Sequence, residues 1–278
     1  MQFIDLKQQY QSYKKEIDAA IQKVLDHGKY IMGPEVALLE EKLAEFVGVK
    51  HCVGVASGTD ALQVSLMALD IGPGDEVITV PWTWISTAEA VKLVGATPVF
   101  VDVDKDSFLM DADLLEKAIT SKTKAIMPVS LLGQVPNLEK INEIANKYNL
   151  PVIEDAAQSL GATHNGRQSC SMTTLATTSF FPAKPFGCYG DGGAIFTNDS
   201  DLYEKMCCLR VHGGKRGSFD YPYVGMNARL DTIQAAVLLA KLPHFNKELE
   251  ARTRVGNYYN ELLKEVSQIP TPEEGNTH

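Results

Sequence analysis

Seven short β-branched runs are separated by stretches whose apolar residues recur at helical spacing. The runs are HCVGVAS (51–57), DEVITVP (75–81), TPVFVDVD (97–104), KAIMPVS (124–130), PVIEDA (151–156), TTSFF (177–181) and GAIFTN (193–198). ALQVSLMAL (61–69), DLLEKAI (113–119) and LEKINEIANKY (138–148) are among the helical stretches. Such alternation predicts an α/β fold, a mostly parallel seven-stranded sheet sandwiched by helices. Ligands in that architecture bind beyond the carboxyl ends of the strands.

The 278 residues suffice for one large domain with a smaller satellite. Two amphipathic helices are predicted before the first strand, one carrying Ile17, Ile21, Val24 and Leu25, the other Leu38, Leu39, Leu43 and Phe46. Gly33 and Pro34 punctuate their join. After a helix from about Asp231, a longer helical pattern runs to about Val266, and the sequence ends in PTPEEGNTH. A Pro/Glu/Gly loop leads into another element, so residues 1–240 are assigned to a large domain and 241–278 to the start of a small C-terminal domain that is incomplete.

A net charge of −9 disfavours nucleic acid as a partner, because a phosphate backbone needs a basic surface. No run of about eighteen apolar residues reads as a membrane span, and no signal-like leader follows Met1. Cytoplasm is the expected compartment. The five cysteines, Cys52, Cys170, Cys188, Cys207 and Cys208, are odd in number and lack zinc-ligand spacing. They read as reduced thiols rather than a disulfide framework or metal site, with Cys170 and Cys188 as buried bystanders.

Four stretches carry candidate chemistry. In VASGTDALQ a strand runs into Ser57, Gly58 and Thr59 and then a helix. Ser57 with Asp60 reads as a capping box, and the first-turn amides suit a phosphate or carboxylate. The plainer reading is turn geometry alone. In VIEDAAQS, Asp155 closes a buried strand, and Gln158 follows near one helical turn later, so both can face one ligand. A buried carboxylate needs a partner, such as a cationic heterocyclic nitrogen; the alternative is a helix cap. Glu154 is expected on the other face. In PWTWIS, Trp82 and Trp84 share a side if the backbone is extended, either to stack on a planar ligand or as core or interface residues. In SFFPAKPFGCYGDGG (179–193), Lys184 stands between Pro182 and Pro185 behind two phenylalanines. Stiffness and desolvation favour a free, nucleophilic amine, against the alternative of a surface turn.

The four are complementary to one molecule, pyridoxal 5′-phosphate. Gly58, Thr59 and Ser179 would hold its phosphate, Trp84 would stack on its ring, and Gln158 would reach its 3-hydroxyl. Asp155 would keep the ring nitrogen protonated, and Lys184 would bond its aldehyde carbon.

ASGTDAL, EDAAQSLGA, SFFPAKPFGCYGDGGAIFTND and GMNARLDTIQAA occur in the same order as in the DegT/StrS-type sugar aminotransferases, which are fold-type I pyridoxal-phosphate enzymes. The chain resembles that family along essentially its whole length. The resemblance implies a homodimer with a shared active site. Matching its GxN motif to residues 225–227 implies that Asn227 contacts the cofactor phosphate of the partner subunit. It also sets Arg229 and the loop HGGKRGSFDYPYVG (212–225) beside a sugar nucleotide; the residues alone read as a mobile Gly-rich connection. Some relatives carry histidine at the lysine position and act as dehydratases, so Lys184 implies transamination.

By the same resemblance, glutamate donates the amino group, a keto-sugar nucleotide accepts it, and Lys184 carries the proton between Cα and C4′. The nearest resemblance is to members that aminate UDP-2-acetamido-2-deoxy-3-oxo-glucuronate on a route to bacterial surface polysaccharide, including lipopolysaccharide. Arg229 is then expected to pair with the sugar carboxylate. The alternatives are a 4-keto-hexose nucleotide aminotransferase and a non-catalytic, regulatory protein that binds the cofactor. A dinucleotide-binding domain is disfavoured, because no GxGxxG follows a predicted strand. Family members continue into a C-terminal segment that completes the small domain. This sequence is expected to be cut short there or to lack that segment.

Overall fold

The computed structural model describes residues 4–215, 219–265 and 275–277. Each β-branched run yields a strand, and each amphipathic stretch a helix. The chain begins with α1 (Leu6–Ser12), α2 (Lys14–His27) and α3 (Pro34–Val47), then β1 (His51–Val55), α4 (Gly58–Ala68), β2 (Glu76–Thr79) and α5 (Ser86–Leu93). It continues through β3 (Thr97–Phe100), α6 (Ala112–Ala118), β4 (Thr123–Ile126), α7 (Leu138–Lys147), β5 (Ile153–Asp155), β6 (Thr163–His164) and β7 (Arg167–Gln168). It closes with β8 (Leu175–Ser179), β9 (Gly193–Thr197), α8 (Ser200–Leu209), α9 (Thr232–Leu263) and β10 (Asn276–Thr277).

β3, β2 and β4 pair in parallel, as do β5 and β8, while β9 runs antiparallel to both β8 and β1. Parallel bridges between Ile126 and Val152 and between Val129 and Asp155 join the two sets. The result is one sheet in the order β3-β2-β4-β5-β8-β9-β1, with β9 reversed, which matches the expected mostly parallel seven-stranded architecture. β6, β7 and β10 form a separate antiparallel ribbon.

Side-chain alternation sends successive strand residues to opposite faces. Val53, Leu175 and Ile195 pack under α4, α5 and α8 through Leu62, Leu66, Ala90 and Leu209. Their neighbours Cys52, Ala176 and Phe196 pack on the other face with Leu39 and Leu43 of α3 and Leu238 and Phe245 of α9. Ile78, Ile126 and Val152 pack with Leu115 of α6 and Leu138 and Ile141 of α7. Fully burying one such aliphatic side chain contributes about 1.5–3 kcal/mol. Of the predicted apolar helix positions, Ile17, Val24, Leu39 and Leu43 are buried, whereas Leu25 and Leu38 face solvent.

One buried ion pair ties three elements together. Glu40 on α3 accepts the Gly54 amide of β1 at 2.8 Å and pairs with Arg210 at the end of α8, and Arg210 donates to the Gly54 carbonyl at 2.7 Å. α9 is anchored at its start, where the Gly33 amide donates to Thr232 Oγ1 at 2.9 Å. The two helical patterns read near the end of the sequence form this single helix, which crosses residues 240 and 241 and contains Pro243. Most of PTPEEGNTH lies outside the described residues. All five cysteines are free, and only Cys207 is partly exposed. Among the described residues, no helix is long and apolar enough to cross a membrane.

Candidate active site

A cavity of about 970 Å³ opens beyond the carboxyl ends of β1, β5 and β8. At the end of β1 the backbone extends through Ser57, whose Oγ accepts the Asp60 amide at 3.0 Å and caps α4. Among the described residues the first two amides of α4, those of Gly58 and Thr59, have no acceptor and stand at the positive end of the helix. A β-carbon on Gly58 would lie 2.7 Å from Ser179 Cβ, and one on Gly193 would lie 2.5 Å from the Ser57 carbonyl oxygen. The ends of β8 and β9 therefore press against the start of α4. That contact brings the Ser179 hydroxyl beside the two free amides.

Asp155, the last residue of β5, is buried. Thr87 Oγ1 donates to its Oδ2 at 2.7 Å, and the Ala157 amide donates to its Oδ1 at 3.2 Å. Thr83 Oγ1 in turn lies 2.9 Å from Thr87 Oγ1. Burial pushes the Asp155 carboxyl above the usual carboxylate range, while these two bonds and the charge of Lys184 pull the other way. The helix-cap alternative fails, because residues 157–161 form a turn and no helix follows. Gln158 still lines the cavity through that turn. Its Oε1 accepts the Leu132 amide at 3.0 Å. Glu154 faces away, as strand alternation requires, and accepts the Ser130 and Ser169 hydroxyls and the Cys170 amide.

Lys184 occupies a tight turn between β8 and β9. Its amide donates to the Phe181 carbonyl, and the Cys188 amide to the Phe180 carbonyl, both at 2.8 Å. A β-carbon on Gly187 would lie 2.4 Å from the Pro182 carbonyl oxygen, so only glycine fits where the turn folds back. Behind it the buried Lys241 of α9 donates to the Gly187 carbonyl and sits 5.7 Å from the centroid of the Tyr189 ring. The Lys184 side chain is half-buried and lines the cavity, so this is not a surface turn. Burial pushes its amine below the ordinary lysine range, and the Asp155 carboxylate opposes that shift.

The two tryptophans separate. The chain bends at residues 81–83 instead of staying extended, so Trp84 lines the cavity at 71% exposure while Trp82 packs against Phe108, ring centroids 6.1 Å apart. Asn227 and Arg229 do not line this cavity. They lie on an extended segment bridged to Val211 and Val55, respectively, with Asn227 exposed and Arg229 Nε buried without a partner. Residues 216–218 of the 212–225 loop fall outside the described residues.

Thr87, Thr83 and Lys241 escaped the reading of the sequence. The two hydroxyls of PWTWIST, four residues apart at a helix start, were a usable signal; a lysine in the amphipathic AKLPHF stretch was none. Free amides at a helix start, a buried carboxylate with acceptor capacity left, an exposed indole and a desolvated amine around one cavity fit pyridoxal phosphate. The fit rests on the unpaired Gly58 and Thr59 amides at the cavity wall, held against Ser179 where no β-carbon fits, and on the chemistry of these groups.

This is the equipment of a pyridoxal-phosphate-dependent aminotransferase. The model of the DegT/DnrJ/EryC1/StrS aminotransferase family matches residues 11–278, and the chain belongs to that family. The UDP-2-acetamido-2-deoxy-3-oxo-D-glucuronate aminotransferase of Pseudomonas aeruginosa is 55% identical over 272 residues, 98% of this chain and 75% of the relative. A solved DegT DnrJ EryC1 StrS aminotransferase from Brucella abortus superposes with a TM-score of 0.97 at 48% identity, covering all of this chain and 76% of that one. NtdA from Bacillus subtilis, solved with bound cofactor PMP, superposes at 0.93 with 31% identity, covering all of this chain and 65% of its own.

Proposed function

We propose that this aminotransferase moves an amino group from glutamate to a keto-sugar nucleotide, UDP-2-acetamido-2-deoxy-3-oxo-glucuronate, in the cytoplasm, for a bacterial surface polysaccharide such as lipopolysaccharide. The observation that carries the reaction is the convergence of the Lys184 amine and the Asp155 carboxylate on one cavity. The 55%-identical relative supports the sugar.

Bound pyridoxal phosphate supplies an electron sink for breaking and forming bonds at the amine-bearing carbon. The Gly58 and Thr59 amides with the Ser179 hydroxyl hold its phosphate. Asp155, aimed by Thr87 and Ala157, accepts from the ring nitrogen and keeps it protonated, and Gln158 reaches the 3-hydroxyl. Trp84 covers the ring and excludes water from it. Lys184 Nζ would hold the aldehyde carbon and, when free, would carry a proton between two carbons, a task suited to an amine held below the ordinary lysine range.

The chain works as a homodimer. Phe219 is fully exposed and Val224 is 90% exposed beside Asn227, a surface that suits burial against a second copy. Asn227 reaches the partner's cofactor phosphate, and Arg229 the partner's sugar carboxylate.

Borohydride treatment of cofactor-loaded protein, followed by peptide mass analysis, tests the central assignment. The expected adduct is on Lys184, and an adduct elsewhere overturns it. Glutamate added to the loaded protein should then discharge its visible absorbance. Competition between the 3-keto uronic nucleotide and 4-keto-hexose nucleotides decides the acceptor.

A further inference from the structure

We infer that Arg252 forms a carboxylate-binding subsite on the α9 wall of the cavity, in the same chain as Lys184. The inference rests on the aminotransferase reading and deepens it. One side of the cavity is walled by Leu249, Arg252, Gly256 and Asn260, whose spacing places them along one face of α9. This wall is seated firmly. Gly161 adopts a left-handed φ of +93°, and a β-carbon there would lie 2.5 Å from Leu249 Cδ1, so the helix rests directly on the turn that follows Asp155.

Among the described residues lining the cavity, only two carry a positive side chain, Lys184 and Arg252. Lys184 is committed to the cofactor. Arg252 is exposed and has no hydrogen bond or ion pair among the described residues. Asp155 and Asp191 line the same cavity and repel anions. Yet an amino-acid donor carries a carboxylate beside its reacting amine, and a uronic acceptor carries one on its sugar. Both reactants enter this chamber in turn, and a cation on its wall can meet the carboxylate of either. A planar guanidinium matches a carboxylate in two parallel hydrogen bonds, which an ammonium does not. Arg229 lies outside the cavity of its own chain, so Arg252 is the residue placed to act beside Lys184 within one subunit.

The test compares the parent chain with Arg252→Gln, Arg252→Lys and Arg254→Gln, all cofactor-loaded. Arg254 is exposed on the same helix and does not line the cavity. Succinate, titrated by calorimetry, should bind the parent and Arg254→Gln alike, Arg252→Lys more weakly, and Arg252→Gln at least about tenfold more weakly. The donor half-reaction with glutamate and the acceptor half-reaction with uronic and neutral keto-sugar nucleotides then locate the carboxylate. A tenfold fall in kcat/KM for glutamate alone assigns it to the donor, and a fall for the uronic nucleotide alone to the acceptor; a fall in both means that the subsite is shared. Unchanged succinate affinity in Arg252→Gln, or an equal loss in Arg254→Gln, overturns the subsite. Failure of the parent to form the Lys184 adduct would instead overturn the aminotransferase reading, with the succinate titration still interpretable.

Discussion

Lys184 and Asp155 depart from their ordinary proton affinities in opposite directions, and burial is the largest cause of both shifts. For Lys184 the folded chain releases the proton at lower pH than the unfolded chain. Between those two points the unfolded state binds more protons, so stability rises with pH. In cofactor-free protein, thermal melts at increasing alkaline pH should show the parent gaining stability relative to Lys184→Met as pH approaches the ordinary lysine range. Asp155 has the reverse sign. Its folded value lies above its unfolded one, so stability falls as pH rises through that interval. Thr87→Val removes the donor to Oδ2 and should cost about 1–3 kcal/mol, with Thr87→Ser recovering most of it, as read from urea midpoints above the carboxylate range. Lys184, Asp155 and Gly58 were legible in the sequence because each stands at or shortly after the carboxyl end of a strand, where local pattern decides what is presented. Thr87 was not, because its meaning comes from a carboxylate brought to it by the fold.

At the scale of elements, the strands agree with the β-branched runs, since a buried parallel strand needs such residues for almost its whole length. Their ends agree less well. In the run at 97–104 the ladder to β2 ends at Phe100 and Val103 turns to bridge Met110 instead, and the two-residue strands β6 and β7 carry too little periodicity to be read at all. α9 continues through Pro243, where a proline removes one backbone donor, and the buried Leu238 and Lys241 before it and Phe245 after it hold the helix to the sheet. The joints between elements offer the clearest mutations. Arg210→Leu leaves the largely buried Glu40 without its cation between α3, β1 and α8, with only the Gly54 amide still donating to it, and should lower the denaturation midpoint by an amount equivalent to about 3 kcal/mol. Gly58→Ala drives a methyl group into Ser179 and should weaken cofactor retention in equilibrium dialysis more than it lowers the melting temperature, because the crowding falls on the anion cradle.

For the whole molecule, the proposal of sites shared between subunits has a sharp consequence. Lys184→Ala and Asn227→Ala should each be inactive alone. Mixed and allowed to exchange subunits, they should recover about a quarter of parental activity, since half the dimers are hybrids with one intact site. No recovery, with exchange verified by mass, would place Asn227 in the site of its own chain. The order of strands also bears on how the protein is made. β1 emerges early in synthesis, yet its only ladder partner among the described residues is β9, with His51 opposite Thr197, about half the chain later. Until the ribosome has released that strand, β1 waits with both edges open, and the start of α4 has neither Ser179 nor Gly193 to press against. The proposed phosphate cradle is thus encoded near the beginning of the message but completed only after β9 emerges, and the nascent chain must keep its unpaired edges from other strands in the meantime.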